Sequence, residues 1–278
     1  MIRPQLLPSG WYPRDPAEIQ DSFRRWDREA TTEVAPQPKA VSIVAPHAGW
    51  GFSGGPAYRA LRRLGAPETV VIVGGHLGPR EPVLLLSEEG FDTPFGVLST
   101  NTELRERIRT SINVTSDDSV DNSVDVLLPM VAGLFPEASV VCLRAPANAE
   151  AIALGRLLAE AVAAGASVGV VGSTDLTHYG ANFGFAPAGT GSAAVEWARE
   201  NDRQFLDFCV AEKPHGALDH AAENRSACSP GAAAAAMAFA EALGVTRGTL
   251  LEHTSSYDLH PADSFVGYGT VAYSIASA

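Results

Sequence analysis

Cysteine is scarce: there are three, at positions 142, 209 and 228, with wide and unpatterned spacing. Such a set builds no disulfide framework, and no Cys-x-x-Cys is present. Basic charge is in deficit, with 20 Lys and Arg against 32 Asp and Glu and a formal net charge of −12. That balance argues against nucleic acid or an anionic membrane surface as the main partner. Long apolar runs are missing too. The longest weakly polar stretch, Gly231 to Ala240, is mostly alanine and falls well short of the ~20 residues that cross a bilayer. The opening Met1-Ile-Arg-Pro-Gln-Leu-Leu-Pro lacks the basic-then-apolar order of a secretory signal. These absences lead to the expectation of a soluble, cytoplasmic protein with reduced thiols. One enzymatic signature fails as well: no Gly-x-x-x-x-Gly-Lys-[Ser/Thr] phosphate loop is present, and Gly49-Trp-Gly-Phe-Ser-Gly54 is read as similar to the glycine-rich phosphate loops only in composition.

What is present suffices for a sizeable core, since 46% of the 278 residues are hydrophobic and 19% charged. No linker or composition break divides the chain, so one domain over 1–278 is expected. Apolar strand-like runs alternate with helical patterns, and two β-type runs, Gly248 to Ser255 and Ser264 to Ile275, close the chain. The order predicts an α/β fold, a three-layer sandwich with a central mixed β-sheet. Asp15-Pro16-Ala17-Glu18 opens one helix, and Thr100-Asn-Thr-Glu103 reads as a capping box for another. Ser119 to Phe135 reads as one core-facing helix. Phe91 to Gly96 reads as a loop overhanging a pocket, and Gly180 to Gly191 as a lid or pocket wall.

Three core-type strands each deliver a chemically capable residue just past their last apolar position. Val41-Ser-Ile-Val-Ala-Pro46 leads to His47 and a glycine-rich segment into a helix near Pro56-Ala-Tyr58. Thr69-Val-Val-Ile-Val-Gly74-Gly75 leads to His76, and Val168-Gly-Val-Val-Gly172-Ser-Thr to Asp175 and His178. Runs this continuously apolar suit strands buried on both faces. In open α/β sheets ligands bind beyond the carboxyl ends of strands, so neighbouring strands of this kind would converge on one pocket. Two neutral imidazoles there suit a divalent iron, zinc or copper ion; the plainer alternative is that each histidine caps its turn. Cys228 precedes a helix whose N-terminus would favour a ligating thiolate, or it is a small buried apolar residue, as Cys142 and Cys209 are read. Asp175 and His178 either move protons beside a metal or hold their own turn. Trp50, Phe52 and Tyr179 form either an aromatic wall or part of the core.

Pro46-His47-Ala-Gly49-Trp50-x-Phe52-Ser53-Gly54, the strand-final Gly-x-His76, Ser173-Thr-Asp175-Leu-Thr-His178-Tyr179, Asp263-Ser-Phe-Val-Gly-Tyr268 and Ser9-Gly-Trp11-Tyr12-Pro13 together resemble the MEMO family, also called AmmeMemoRadiSam system protein B. The resemblance covers nearly the whole chain. It implies a fold similar to the class III non-haem iron extradiol dioxygenases, whose metal is held at strand ends by two histidines and a third ligand. By that resemblance His47, His76 and Cys228 form the metal site, with Glu223 the alternative third ligand, and Asp175 and His178 line the pocket as catalytic groups. Fe(II) is the expected cofactor, Cu or Zn the alternatives, and a small, aromatic or redox-active molecule the expected substrate. A metal-binding protein without turnover is the second reading, and a zinc hydrolase the third. The chain departs from the family pattern at three points. Asp121-Asn122-Ser123 stands for an acidic-His-Ser run, Gly74-Gly75 for Gly-Pro, and Ser229 for the glycine after the cysteine.

Overall fold

Alternation along the Thr69–Gly74 strand sets the layering. Val71 and Val73 enter one buried cluster, Val70 and Ile72 the other, so both faces of the strand are covered. In this computed structural model, which describes residues 1–29 and 39–275, a nine-stranded mixed sheet lies between two helical layers. Four parallel strands form its centre, in the order Ala40–Ala45, Val168–Ser173, Thr69–Gly74, Ser139–Arg144. On one side Phe265–Ser274 pairs antiparallel with Ala40–Ala45, and carries Thr249–Ser255 and the short His178–Tyr179 strand. On the other side come Val83–Leu86, antiparallel to Ser139–Arg144, and then Val114–Asp117. The α/β class and the central mixed sheet thus match the expectation.

One helical layer contains Pro16–Glu29, Trp50–Leu61 and Leu128–Leu134. The other contains Ala149–Ala163, Ser192–Val210, Pro214–Asn224 and Pro230–Ala242. The alanine-rich Pro230–Ala242 helix is buried from Pro230 to Ala240 because its side chains are small enough to lie against both the sheet and Ala149–Ala163. Glycines allow that approach. A Cβ on Gly172 would lie 2.5 Å from the Ala232 carbonyl oxygen, and one on Gly155 would strike the Ala235 carbonyl oxygen and lie 2.9 Å from Phe239 N. No described helix is long and apolar enough to cross a membrane.

Several local expectations are corrected. The Trp50–Leu61 helix begins six residues before Pro56, since Gly54 and Gly55 leave the space that the Trp26 ring fills. Asn101, one residue later than expected, caps Thr102–Ser111 by accepting Leu104 N–H. Ser119 to Phe135 is two short helices, Asn122–Asp125 and Leu128–Leu134, the second carrying Pro129 in its first turn. Phe91 to Gly96 is no overhanging loop. It is a hairpin, Gly90–Thr93 with Gly96–Ser99, that pairs with Ile2–Arg3 and buries Phe91. Trp50 and Tyr179 are core residues, and only Phe52 of the expected aromatic wall is exposed.

Two outcomes follow. Gly155→Ala improves intrinsic helix propensity, yet it should lower stability by about 1–3 kcal/mol in denaturant unfolding, through overpacking at the helix crossing. Glu212 is buried, with Oε1 lacking a hydrogen-bond partner. Burial, and then the Glu241 charge, pushes its carboxyl up from 4.5 to about 7. The folded state therefore holds this proton more tightly than the unfolded chain, so the stabilisation is full below pH 4.5 and is lost as pH rises through 7. Glu212→Gln should raise the melting temperature clearly in alkaline buffer and little near the unfolded carboxyl pKa, as read by calorimetry.

Candidate metal centre

Each of the three central strands ends two residues before a polar group: Ala45 before His47, Gly74 before His76 and Ser173 before Asp175. Because these strands are parallel neighbours with Val168–Ser173 in the middle, their carboxyl ends meet at one edge. His47 is almost fully buried, and its backbone N–H donates to Asp175 Oδ1 at 2.7 Å. Cys228 arrives from far along the chain on a loop docked to the same strand end. Its N–H donates to the Asp175 carbonyl at 3.1 Å, and Ser229 N–H donates to Thr174 Oγ1 at 3.1 Å.

The result is a cluster. His47 Nε2 lies 3.2 Å from His76 Nε2 and 3.2 Å from Cys228 Sγ. The three ligand atoms all lie within 4.8 Å of one another. Ligands of a tetrahedral zinc stand about 3.3 Å apart between nitrogens and about 3.5 Å between nitrogen and sulfur, from bonds of about 2.0–2.1 and 2.3 Å. The observed spacings are close to these, so the donor set fits a single cation. The outer ring nitrogens are held as metal-ligating histidines require. His76 Nδ1 lies 3.1 Å from both Asp121 oxygens, and since a carboxylate only accepts, Nδ1 carries a proton, which in the neutral ring leaves the Nε2 lone pair for a cation. His47 Nδ1 is paired with Ser173 Oγ at 2.9 Å.

Electrostatics reinforce the set. Burial tends to raise the Cys228 thiol, but the His47 charge and hydrogen bond, followed by those of His76, outweigh it and hold the group well below its ordinary value. Burial opposes protonation of His76, while Asp121 and then the Cys228 thiolate raise it to about 10, so a cation taken up at Nε2 would displace a proton. Asp121 is in turn fixed by Arg144, whose Nη1 reaches Oδ2 at 2.8 Å while its Nε reaches Asp117 at 2.7 Å. Asn122 Nδ2 donates to the His47 carbonyl at 3.1 Å.

Sequence comparison decides the kinship. The Memo-like protein family matches residues 3–272. The chain belongs to the Memo family. It is 28% identical to a MEMO1 family protein of Pyrococcus furiosus over 98% of each chain. It is 30% identical to one of Methanosarcina acetivorans over 84% of this chain and 85% of the other. Among solved structures, an uncharacterized Escherichia coli K12 protein shares the fold, with TM-score 0.51 and 15% identity over 83% of this chain and 99% of that one.

Within this Memo chain the residues singled out from sequence divide. His47, His76 and Cys228 come together, with Asp175 against His47. Glu223 is exposed on the Pro214–Asn224 helix and lies outside the cluster, so among the described residues the group that could hold a metal ion is completed by the Cys228 sulfur. His178 makes no bond to the cluster. Its Nδ1 is 3.2 Å from the Leu176 carbonyl oxygen and its ring stands edge-on to Phe183, the first contact made by the Gly180–Gly191 segment. The charge of His178 acts on Asp175. Asp121, Ser173 and Arg144 were not foreseen. Asp121 does cap the Asn122–Asp125 turn, and that ordinary role hid the second one; Asp two positions before Ser, at a helix start, was the available signal.

Asp121→Asn keeps shape and removes the charge that fixes the His76 tautomer. Metal affinity, measured by competition with a chromogenic chelator, should fall about 10- to 100-fold, with the fold unchanged by circular dichroism.

Proposed function

We propose that this protein is a metal-dependent oxidoreductase on a class III extradiol-dioxygenase-like fold, acting on a small aromatic or redox-active molecule. The observation that carries the proposal is the meeting of two imidazole nitrogens and one sulfur at the strand ends, beside a buried carboxylate. Fe(II) at His47, His76 and Cys228 is the assigned cofactor, and it would supply oxygen activation and orientation of substrate oxygens. The chain's own residues do the rest. Asp175 is buried, and burial raises its carboxyl against the lowering effect of His47. It therefore holds a proton more readily than a surface carboxylate and can pass it at the metal edge. His178, half-buried on the Asp175 loop, would be the second group to move that proton. Ser173 and Asp121 hold the two rings in ligating orientation.

A second reading rests on the sulfur. A thiolate donor favours Cu(I) or Zn over the harder ions, which suits a protein that holds metal without turnover.

Anaerobic reconstitution with Fe(II), followed by oxygen uptake over a panel of catechols, separates the two. Iron-dependent uptake is expected. Asp175→Asn should lower it about 10²- to 10⁴-fold at unchanged metal content, and His47→Ala should lose the metal itself. Tight metal binding without uptake for any substrate would remove the oxidoreductase assignment and leave the metal-handling one.

A further inference from the structure

We propose that the protein carries a second ligand site, sharing no residue with the His47–His76–Cys228 cluster, and that it takes an organic ammonium ion such as a polyamine. An open cavity of about 1420 Å³ lies between the Ser192–Val210 helix and the Thr249–Ser255 strand with the turn that follows it. Behind its lining is an arrangement the proposed metal chemistry does not use. Asp202 is 2% exposed. Its Oδ1 accepts Thr177 N–H at 2.9 Å, and its Oδ2 is 3.3 Å from Nε2 of the cavity-lining His253. In the neutral ring, facing an ionised Asp202 places the proton on Nε2 and leaves Nδ1 as an acceptor.

Neighbouring groups repeat that polarity. Asn201 spends both amide hydrogens, on Thr177 Oγ1 at 2.9 Å and the Asn224 carbonyl at 3.0 Å, so it offers only its carbonyl oxygen. Glu196 lines the cavity and pairs with no cation among the described residues. Arg199 and Arg203 are taken up by Asp258, Glu200 and Asp207. Trp197 and Tyr257 add two aromatic rings. Acceptors, an uncompensated carboxylate and two aromatic rings in one lining suit a ligand that is cationic and donates hydrogen bonds. An anion would meet Glu196 and no free guanidinium. The net charge of −12 draws cations toward the surface in general. Asn201 and Asp202 both grip Thr177, so the cavity backs directly on the loop that carries Asp175 and His178.

Titration calorimetry of the full chain with spermidine, at about 0.15 M salt to screen diffuse attraction, tests the proposal, with 1,4-butanediol as the neutral control. Saturable 1:1 binding of spermidine and none of the diol are expected. Glu196→Gln, an exposed and unpaired position that should not disturb folding, should weaken binding about five- to tenfold. His253→Leu should weaken it as well, and Cys228→Ser should leave it unchanged. Absence of saturable binding, or equal affinity in the parent and Glu196→Gln, would overturn the proposal.

Discussion

Parallel pairing of Ala40–Ala45, Val168–Ser173 and Thr69–Gly74 is the constraint from which the site descends. Strands so paired stand ~4.8 Å apart and end at a common edge. Each of the three releases its chain into a turn at nearly the same height, and each turn has its polar residue at the second position. The cluster needs no long-range search beyond the sheet itself: once the register is made, two imidazoles and a carboxylate are already neighbours. The cost is that every interior strand position must be apolar or very small, which explains the glycines and valines that fill these strands. Gly172 is the plainest case, because the buried alanine helix passes over it at van der Waals contact.

Geometry at the edge is then tightened by polar bonds with no apolar share. His76 occupies the left-handed region at φ 60°, uncommon for a residue with a side chain. It is kept there by Ser229 Oγ, which accepts its N–H at 3.1 Å, and by Asp121. Asp121 belongs to a polar row running through Arg144, Asp117 and the exposed Ser119 to Arg3. Removing one member of such a row leaves its partner charged and unpaired away from water. Arg3, in the first strand of the chain, therefore contributes to the orientation of a ring more than seventy residues away.

Much of this was legible in the sequence, for physical reasons that differ by residue. The strand-turn-histidine segments could be read because continuous apolar runs can only be buried strands or helices, and the following glycine and proline stop them. Cys228 was harder: a loop thiol and a core thiol look alike until the loop is docked on Thr174 and Asp175. Val114–Asp117 and the Gly90–Ser99 hairpin escaped because short, partly exposed strands lack the alternation that marks longer ones. The break between Asn122–Asp125 and Leu128–Leu134 escaped because Val124, Leu127, Leu128 and Val131 keep helical spacing across it. Arg144 reads from sequence only as the charged end of a strand.

Gly75 and Ser229 face each other across the cluster so closely that a methyl group on Gly75 would stand 2.5 Å from Ser229 Oγ and 2.9 Å from its Cα. The missing side chain at Gly75 leaves the room that the Ser229 hydroxymethyl group takes up. The two turns thus form one mechanical part made from separate stretches of polypeptide. Anyone grafting this centre into another scaffold would have to carry both turns together, since either one alone would meet a counterpart of the wrong size.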